Sequence, residues 1–465
     1  MKRSLLSILA CPYCGGELNV SAGVAAGADP IENALLSCEC SEFPVVAGIP
    51  IFKRSGAVDV MKDSEDGVLR SGPPVETIVE LIRSGDAKTA LLLLLTRPGR
   101  HERYVRHALG LLPPAFRRVL SGPASRVWSV RPGLRPVREI LARPASVLEV
   151  FDLFFRRLEM WPPHLYNYFA FRFGQPRYLT GLSLASLMSH STRPILDLAC
   201  GVGHMLHYWS MSRPRQPLVG LDRTFFLLYI AKRWIAPNAD YICAEGDMGL
   251  PFRGRSMSGV YCSDAFHYFL RKSQAAREAR RVLDDNGVIA LSRIGNALVP
   301  PNEGYELAPE SYGELFGEMT TRLVGDKAVL EAYLEKRGPA LGSQGPLEKL
   351  REVKWISLVA TDSAGVLPDH RSFDVWPHSL GQLAVNPLYR RVGATRSGMV
   401  ELKLEFPSAR YALANAECRQ YMSESVSLDR EVLDDVANGV RSEAVEALIR
   451  NCVVIGTPEN YGSVG

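Results

Sequence analysis

The stretch Pro194-Ile195-Leu196-Asp197-Leu198-Ala199-Cys200-Gly201-Val202-Gly203-His204 decides the fold predicted for this chain. A short apolar run is followed by an acidic residue, two glycines and a helix-like sequence, which predicts a buried strand, a ligand loop and a helix. Glycines in such a loop let the backbone approach a ligand at the positive end of the next helix. A lone Gly-x-Gly, however, would equally suit a tight strand-to-helix turn.

The residues of this loop argue against a dinucleotide. A nicotinamide site would have a third glycine at position 206, where the sequence has Leu206, and a pyrophosphate on the helix N-terminus. Asp197 instead carries negative charge into that space, so a ligand with a cationic amino group fits better. S-adenosylmethionine is such a ligand, and the loop, with Asp197, Ala199, Gly201 and Gly203, resembles the first motif of class I S-adenosylmethionine-dependent methyltransferases, type 11-like.

Two further strand-and-loop units follow in the order that this family needs. The apolar run 217–222 ends in Asp222, a carboxylate that can accept hydrogen bonds from both ribose hydroxyls. The stretch Gly-Asp-Met-Gly-Leu-Pro-Phe, residues 246–252, is similar to the family's loop after its third strand. The resemblance implies that Asp247 binds the adenine amino group and that Met248 packs on the ring.

The rest of a methyltransferase sheet can be traced beyond these units. The further elements predicted are a fourth strand at 259–263, a helix at 274–283, a turn at 284–287 and a fifth strand at 288–292. Ser263, at the end of the fourth strand, is another candidate cofactor contact. A final antiparallel hairpin is predicted from the runs 355–360 and 399–406, the second of which alternates by twos.

The first 40 residues contain two cysteine pairs, Cys11-x-x-Cys14 and Cys38-x-Cys40. Four thiolates can hold a tetrahedral zinc ion, and so short a segment could hardly fold on its apolar residues alone. Redox-active or free thiols are the alternative. Such a zinc has no open position for water and would be structural.

The sequence on both sides of these cysteines resembles the small zinc-ribbon family that includes the activator subunit of tRNA and protein methyltransferases. The runs that carry the resemblance are 5–12 and 43–52. The second pair is one residue shorter than the usual Cys-x-x-Cys. Either zinc binds through a tighter loop, or the metal has been lost while the fold remains.

Candidate residues for holding cofactor and acceptor lie on either side of the first four strands. Helices before the first strand form part of the lid in this fold, so Arg172, Arg177 and Tyr178 are candidates to hold the methionine carboxylate, with ordinary lid packing as the alternative. His267 and Asp264 follow the fourth strand, where the acceptor is presented. Either could be the general base that a hydroxyl or protonated amine would need, or could simply cap or pack the loop.

Composition and absent motifs narrow the acceptor and the compartment. The formal charge of +4 in 465 residues does not demand a nucleic-acid partner. No secretory pattern or membrane span is predicted, so a cytoplasmic enzyme is expected. The loop Ser263-Asp264-Ala265-Phe266 lacks Asn/Asp-Pro-Pro-Tyr/Phe and the chain lacks a Pro-Cys nucleophile, which disfavours DNA or glutamine methylation. A small-molecule acceptor is the leading interpretation.

The predicted fold is α/β, a Rossmann-like seven-stranded methyltransferase sheet with an N-terminal zinc-ribbon and helical additions. The predicted domains are a zinc ribbon at 1–55, a helical or partly ordered connector at 56–146, a methyltransferase domain at 147–410 and a small helical appendage at 411–465. The predicted function is methyl transfer to an oxygen or nitrogen of a biosynthetic intermediate or glycan-like acceptor. Alternatives are an RNA methyltransferase, suggested by frequent arginines between 97 and 143, and an inactive cofactor-binding partner subunit. The oligomeric state stays open.

Overall fold

A computed structural model describes residues 1–22, 29–58, 60–62, 69–96, 133–188, 190–367, 372–394 and 399–462. Most of the arginine-rich stretch on which the RNA alternative depends lies outside these described residues. No helix in the described ranges is both long enough and apolar enough to cross a membrane.

The N-terminal segment is a small antiparallel sheet behind a short helix, Arg3–Leu6. Its strands, in sheet order, are β1 (Asn19–Ala22), β2 (Ala34–Ser37), β3 (Glu42–Val46) and β4 (Ile49–Pro50). The helix Val75–Arg83 packs on this sheet, because Val75, Ile78 and Ile82 recur at helical spacing and are buried. A separate pair, β5 (Val60–Lys62) and β6 (Leu69–Ser71), lies between them in the chain.

Several helices lead from the ribbon to the main sheet. They are Ala87–Leu94, Leu134–Leu141, Val147–Phe151 with a π-helical continuation Asp152–Arg157, Leu165–Ala170 and Pro176–Ala185. Their apolar faces, rich in phenylalanine, join the core on one face of the sheet. Residues 165–185 are called the lid segment below, and Arg172 and Arg177 in this segment reach Asp264 at the carboxyl end of the strand Met257–Ser263.

The main sheet has seven strands and the predicted methyltransferase architecture. They are β7 (Ile195–Leu198), β8 (Leu218–Asp222), β9 (Asp240–Cys243), β10 (Met257–Ser263), β11 (Leu283–Gly295), β12 (Thr320–Gly325) and β13 (Trp355–Thr361). The spatial order is β12-β13-β11-β10-β7-β8-β9, and β13 runs antiparallel to both of its neighbours. The strands β7, β8 and β9 are buried along their whole length, which is why they read as continuous apolar runs.

Helices cover both faces of this sheet. They are His204–Ser212, Phe225–Ile230 with a π-helical continuation Ala231–Ile235, Lys272–Val282, Pro309–Glu314, Asp326–Leu334 and Leu347–Leu350. The ribbon extends the sheet at its β9 edge, where Ile51 bridges Cys243 in parallel and Phe52 N donates to Cys243 O at 2.8 Å. The strand order and helical layers confirm the predicted Rossmann-like fold.

One local prediction was wrong. The final hairpin pairs β13 with β12, residues 320–325, and not with the run 399–406. The edge strand β12 is only partly buried and lacks a clear alternation, so it gave a weaker signal than the two-faced run that was chosen. Residues 284–287 fall within the bounds of β11, but the register passes from Leu283 directly to Val288, so these four residues loop out of the ladder where the turn was predicted.

The C-terminal segment forms two smaller sheets. Its strands are β14 (Gln382–Val385), β15 (Tyr389–Ala394), β16 (Val400–Leu404), β17 (Ser425–Leu428) and β18 (Val454–Thr457), and its helices are Ala409–Ala414, Arg430–Ala437 and Glu443–Arg450. β18 pairs with β14, and β17 with β16. Residues beyond 411 therefore pair with strands that precede that position, while the predicted domain boundaries stay a prediction.

Tyrosines of this segment fasten it to the lid segment. Tyr421 OH donates to Gly174 O at 2.8 Å, and Tyr461 OH donates to Ala170 O at 2.8 Å. Gln175 Nε2 donates to the hydroxyl of Tyr411 at 3.1 Å. The C-terminal segment thus fixes the outer side of the lid.

Candidate cofactor and acceptor site

The loop after β7 has the backbone shape that its glycines predict. Ala199, Gly201 and Gly203 all have positive φ, of 61°, 55° and 82°. Cys200 N donates to Leu221 O at 3.0 Å and so continues the pairing of β7 with β8, and Gly203 N donates to Cys200 O at 2.9 Å and closes the turn. A Cβ on Gly201 would lie 3.4 Å from the ring of Phe169 in the lid segment, so this loop and the lid are in close contact.

Two buried carboxylates stand beside this loop, at the ends of neighbouring strands. Asp222 Oδ2 accepts a hydrogen bond from Gly201 N at 3.0 Å, and Oδ1 accepts one from Thr224 N at 2.8 Å. Burial raises the pKa of Asp197 well above its ordinary value, the charge of Asp222 raises it further, and Arg172 opposes the rise. Burial also raises the pKa of Asp222. Too little positive charge therefore lies near these two carboxylates to offset their burial, and a cationic ligand would supply it.

The loop after β9 places Asp247 and Met248 at the same edge of the sheet. Asp247 Oδ2 accepts hydrogen bonds from Leu270 N at 3.1 Å and Arg271 N at 3.2 Å. These bonds anchor the loop to the start of helix Lys272–Val282. Met248 is partly exposed. A cavity of about 860 Å³ opens beside both residues.

The lid residues predicted to hold the cofactor are placed differently from one another. Tyr178 is buried in an aromatic cluster, with its ring centroid 5.3 Å from that of Phe173 and 6.4 Å from that of His204. Arg172 Nη2 lies 3.5 Å from the hydroxyl of Ser263 at the end of β10. Arg172 therefore reaches the strand ends, whereas Tyr178 supports the lid from within.

Asp264 is the centre of a buried charge cluster. Its Oδ2 accepts hydrogen bonds from Arg172 Nη1 at 3.1 Å, Arg177 Nη1 at 3.0 Å and Tyr168 OH at 3.0 Å. Arg293 Nε lies 3.5 Å from its Oδ1. Burial would raise the pKa of Asp264, but the charges of Arg177, Arg172 and Arg293 together hold it well below its ordinary value. Such a carboxylate is a weak base and a strong ion-pair partner.

Sequence reasoning missed Arg293 and Tyr168 as members of this cluster. Arg293 directly follows Ser292 at the carboxyl end of the fifth strand, and that position was the available signal. Both Asp264 and Arg293 have positive φ, of 55° and 52°, which non-glycine residues adopt at a cost. Two strained, charged residues at neighbouring strand ends are typical of a functional site.

His267 lies close to this cluster and is fully buried. Neither ring nitrogen has a hydrogen-bond partner among the described residues. The ring centroid is 4.1 Å from that of Tyr268 and 5.5 Å from that of Trp355. Burial lowers the pKa of His267 to about 4, although the charges of Asp264 and Glu306 raise it. The imidazole is therefore neutral near pH 7, and its two ring nitrogens are enclosed by the protein.

The four cysteines of the ribbon come together as their spacing predicts. Their sulfur atoms all lie within 4.8 Å of one another, with Cys11–Cys40 at 3.6 Å, Cys38–Cys40 at 3.5 Å and Cys14–Cys38 at 3.8 Å. A tetrahedral zinc with Zn–S bonds of about 2.3 Å requires sulfurs about 3.8 Å apart. The donor set and its size therefore fit zinc despite the shortened second pair.

Comparison with known proteins places the central strands in a family. The family described as Methyltransferase domain matches residues 196–291, which run from β7 to β11. Over 144 residues the chain is 23% identical to malonyl-[acyl-carrier protein] O-methyltransferase of Legionella pneumophila. This alignment covers 31% of this chain and 51% of that protein. Over 108 residues it is 30% identical to demethylmenaquinone methyltransferase of Thermotoga maritima, covering 23% of this chain and 44% of that protein. The chain spans about half the length of these curated relatives.

Solved structures are similar at lower identity. Phosphoethanolamine N-methyltransferase 2 of Haemonchus contortus, in complex with S-adenosyl-L-methionine, is 13% identical and matches 47% of this chain and 60% of its own, with a TM-score of 0.34. The YcgJ protein of Bacillus subtilis is 15% identical and matches 40% of this chain and 98% of its own, with a TM-score of 0.29. The family match is confined to residues 196–291, and the strand order of the sheet is the one predicted for a Rossmann-like methyltransferase fold.

Proposed function

We propose that this chain transfers a methyl group from S-adenosylmethionine to a small-molecule acceptor. The observation that carries the proposal is the buried pair Asp197 and Asp222 beside the left-handed loop at Gly201. Two buried carboxylates are costly unless a cation or hydrogen-bond donors reach them. The cofactor has both, in its amino and sulfonium groups and its ribose hydroxyls.

Each of the site residues would bind a different group of the cofactor, according to its charge. Asp222 would accept hydrogen bonds from the ribose hydroxyls, and Asp197 would face the amino group. Arg172, whose charge already acts on Asp197, would receive the methionine carboxylate beside Ser263. Asp247 and Met248 would hold the adenine. When bound, the cofactor supplies a methyl group activated on a sulfonium, so the chain has mainly to align the acceptor and exclude water.

His267 is the better of the two candidate bases for an oxygen or nitrogen acceptor. It is neutral near pH 7, it is shielded from water, and both of its ring nitrogens are without partners among the described residues. Asp264 is committed to Arg172, Arg177 and Arg293, so it would position the lid rather than accept a proton. Neither of the two relatives' names specifies a nucleic acid, which favours a metabolite as the acceptor.

The ribbon would hold a structural zinc through Cys11, Cys14, Cys38 and Cys40, and we expect the protein to act in the cytoplasm. The ribbon touches the cofactor loop directly: Arg253 N donates to Ile8 O at 2.8 Å, and Ala10 N donates to Pro251 O at 3.2 Å. A metal that orders the ribbon would therefore support the loop that carries Asp247.

Isothermal titration with S-adenosylmethionine and S-adenosylhomocysteine tests the cofactor assignment. Asp197→Asn and Asp222→Asn keep the shape of each side chain and remove its charge. Each should weaken binding about tenfold or more, since a hydrogen bond to a charged group contributes about 1.5–3 kcal/mol. Asp284→Asn is the matched control, because Asp284 lies near the start of β11, away from the strand ends that form the site, and is paired with Arg193. A folded wild-type protein that binds neither ligand would overturn the assignment.

A further inference from the structure

Exposed apolar side chains are concentrated at one place on the carboxyl edge of the main sheet. Met248 follows β9, Tyr268 and Leu270 follow β10, and Tyr305 follows β11, and these four side chains are between 37% and 63% exposed. They are called the rim patch below. Large apolar side chains grouped on a surface usually mark a binding site, whereas single ones need no explanation.

The rim patch surrounds the mouth of the cavity beside Asp247. Met248, Leu270 and Tyr305 line this cavity of about 860 Å³, and Leu307 and Leu315 extend its apolar wall. The volume lies within the range of small-molecule sites, about 300–1,000 Å³. The patch is therefore the entrance to a ligand-sized space rather than an isolated surface feature.

The charge that this cavity offers to a ligand is positive. Arg271 and Arg277 line it, and neither forms an ion pair with a carboxylate in the described part of the chain. The acids on the wall are already engaged. Asp247 accepts two backbone hydrogen bonds, and Glu306, whose side chain is fully buried, is paired with Lys354. Arg271 contacts Met248 Sδ and Arg277 Nη2 donates to Gln274 Oε1 at 2.7 Å, so no acid neutralises either guanidinium group among the described residues. Two such cations beside an apolar wall suit an anion attached to an apolar body.

Two residues that line the cavity also bind the backbone of His267. The backbone oxygen of His267 accepts hydrogen bonds from Tyr305 N at 2.8 Å and Lys272 Nζ at 3.0 Å, and both of these residues line the cavity. Its other wall carries Asp247 and Met248, the proposed adenine contacts. A ligand in this cavity would therefore lie against the cofactor loop and against Tyr305 and Lys272, which hold the backbone of His267.

We propose that this cavity binds the methyl acceptor and that the acceptor is an amphiphile, with a carboxylate or phosphate group on an aliphatic or aromatic body. Arg271 and Arg277 hold the anion, and Leu270 and Tyr305 pack against the apolar body. The inference rests on the proposed methyltransferase function. It narrows the acceptor from any small molecule to one that combines these two chemical groups.

The test is calorimetric titration of the full chain with octanoate and octyl phosphate, without cofactor. Acetate and inorganic phosphate carry the charge alone, and octan-1-ol carries the chain alone. We expect both octyl anions to bind at least tenfold more tightly than any of these three, and the stronger of the two identifies the anionic group. Octan-1-ol should bind better than acetate or phosphate.

Variants separate the two contributions. The double variant Arg271→Gln/Arg277→Gln should weaken octanoate binding at least tenfold and leave octan-1-ol binding unchanged. Leu270→Ser should weaken both. Arg280→Gln lies on the same helix but outside the cavity wall, and Leu413→Ser removes an exposed leucine from the C-terminal segment; these two controls should change neither.

Three outcomes would overturn the inference. They are equal binding of octanoate and octan-1-ol, octanoate binding that the cavity variants leave unchanged, and binding only to anionic lipid vesicles. Titration of the same preparation with S-adenosylhomocysteine separates the two proposals. If S-adenosylhomocysteine binds and octanoate does not, only the acceptor inference fails. If octanoate binds through Arg271 and Arg277 and S-adenosylhomocysteine does not, the cavity is a ligand site and the methyltransferase proposal fails.

Discussion

Arg172 in the lid segment and Asp264 at the end of β10 form a buried ion pair, with Nη1 3.1 Å from Oδ2 and side-chain exposures of 5% and 7%. Arg177, also in the lid, reaches the same oxygen at 3.0 Å. The lid is thus fastened by charge directly over the strand ends where cofactor and acceptor would meet. Asp264 is the carboxylate that both lid arginines share.

Removal of that carboxylate should therefore destabilise the protein strongly. Asp264→Asn leaves Arg172, Arg177 and Arg293 without their shared counter-ion in a buried place, and breaking such a pair costs about 3–5 kcal/mol. Urea unfolding measures the loss. The control Asp284→Asn, which breaks a half-exposed pair with Arg193, should cost about 1 kcal/mol or less. Equal, small losses in both variants would show that the cluster does not hold the lid.

Acid should erase part of the difference between wild type and Asp264→Asn. The pKa of Asp264 is lowered in the folded state, so its contribution to stability is complete above its unfolded value of about 3.9 and is lost as pH falls below it. The free energy of unfolding, measured against pH for both proteins, should converge at the acidic end. Curves that stay parallel below about pH 4 would contradict the assignment.

Cofactor binding should release a proton from Asp197. Its pKa is raised by burial and by Asp222, so the free protein retains a proton that the unfolded chain would lose, and ionisation at higher pH lowers stability. A cation placed beside Asp197 favours the carboxylate and expels that proton. Titration with S-adenosylmethionine in buffers of different ionisation enthalpy, between about pH 5 and about pH 8, measures the release. Asp197→Asn should abolish it, and Asp284→Asn should not.

His267 should stabilise the fold little and matter most in acid. A buried imidazole without partners costs free energy, so His267→Phe should be neutral or stabilising by about 1 kcal/mol at pH 7. The folded pKa of about 4 lies below the unfolded value of about 6.5, so wild type loses stability as pH falls from about 6.5 towards 4. The variant should lose less over this window. An unchanged slope would show that His267 is not buried neutral.

The same substitution tests the proposed base. Methyl transfer to an oxygen or nitrogen acceptor should fall by about 10²–10⁴-fold in His267→Phe, the usual contribution of a general base, while binding of S-adenosylhomocysteine is retained. His190→Phe is the matched control, since His190 is an exposed histidine between the lid and β7. Full activity in His267→Phe would leave the histidine a packing role.

The central strands could be predicted because their apolar composition reflects their burial. Strands β7, β8 and β9 are covered on both faces and read as apolar runs, and the chemically important residues Asp197 and Asp222 stand where two of those runs end. The edge strand β12 is partly exposed and has neither an apolar run nor a clear alternation, so the more regular alternation at 399–406 was predicted as the hairpin strand in its place. Packing decided the pairing, and a single sequence does not show packing.

The charge cluster illustrates the same limit at the site. Arg172 and Arg177 could be placed on the lid, and Asp264 at a strand end, but their mutual contact joins positions about 90 apart in the chain. Arg293 and Tyr168 carry no motif of their own. The cysteines could be grouped for the opposite reason, because two closely spaced cysteine pairs can supply four thiolates to one tetrahedral ion whatever the intervening sequence.

Zinc should be bound at one ion per chain and should stabilise the whole protein. The ribbon is paired to β9 through Ile51 and to the cofactor loop through Ile8 and Ala10, so loss of the metal would loosen the loop that carries Asp247. Chelation, or Cys14→Ser, should therefore abolish zinc in elemental analysis, lower Tm and weaken S-adenosylhomocysteine binding. Cys262→Ala removes a buried thiol from β10, outside the cluster, and should leave the zinc content unchanged. If Cys14→Ser retains full zinc, Cys14 is not a ligand and the four-thiolate site is overturned. If wild type contains no zinc, the ribbon folds on its apolar residues and the four thiols hold no ion.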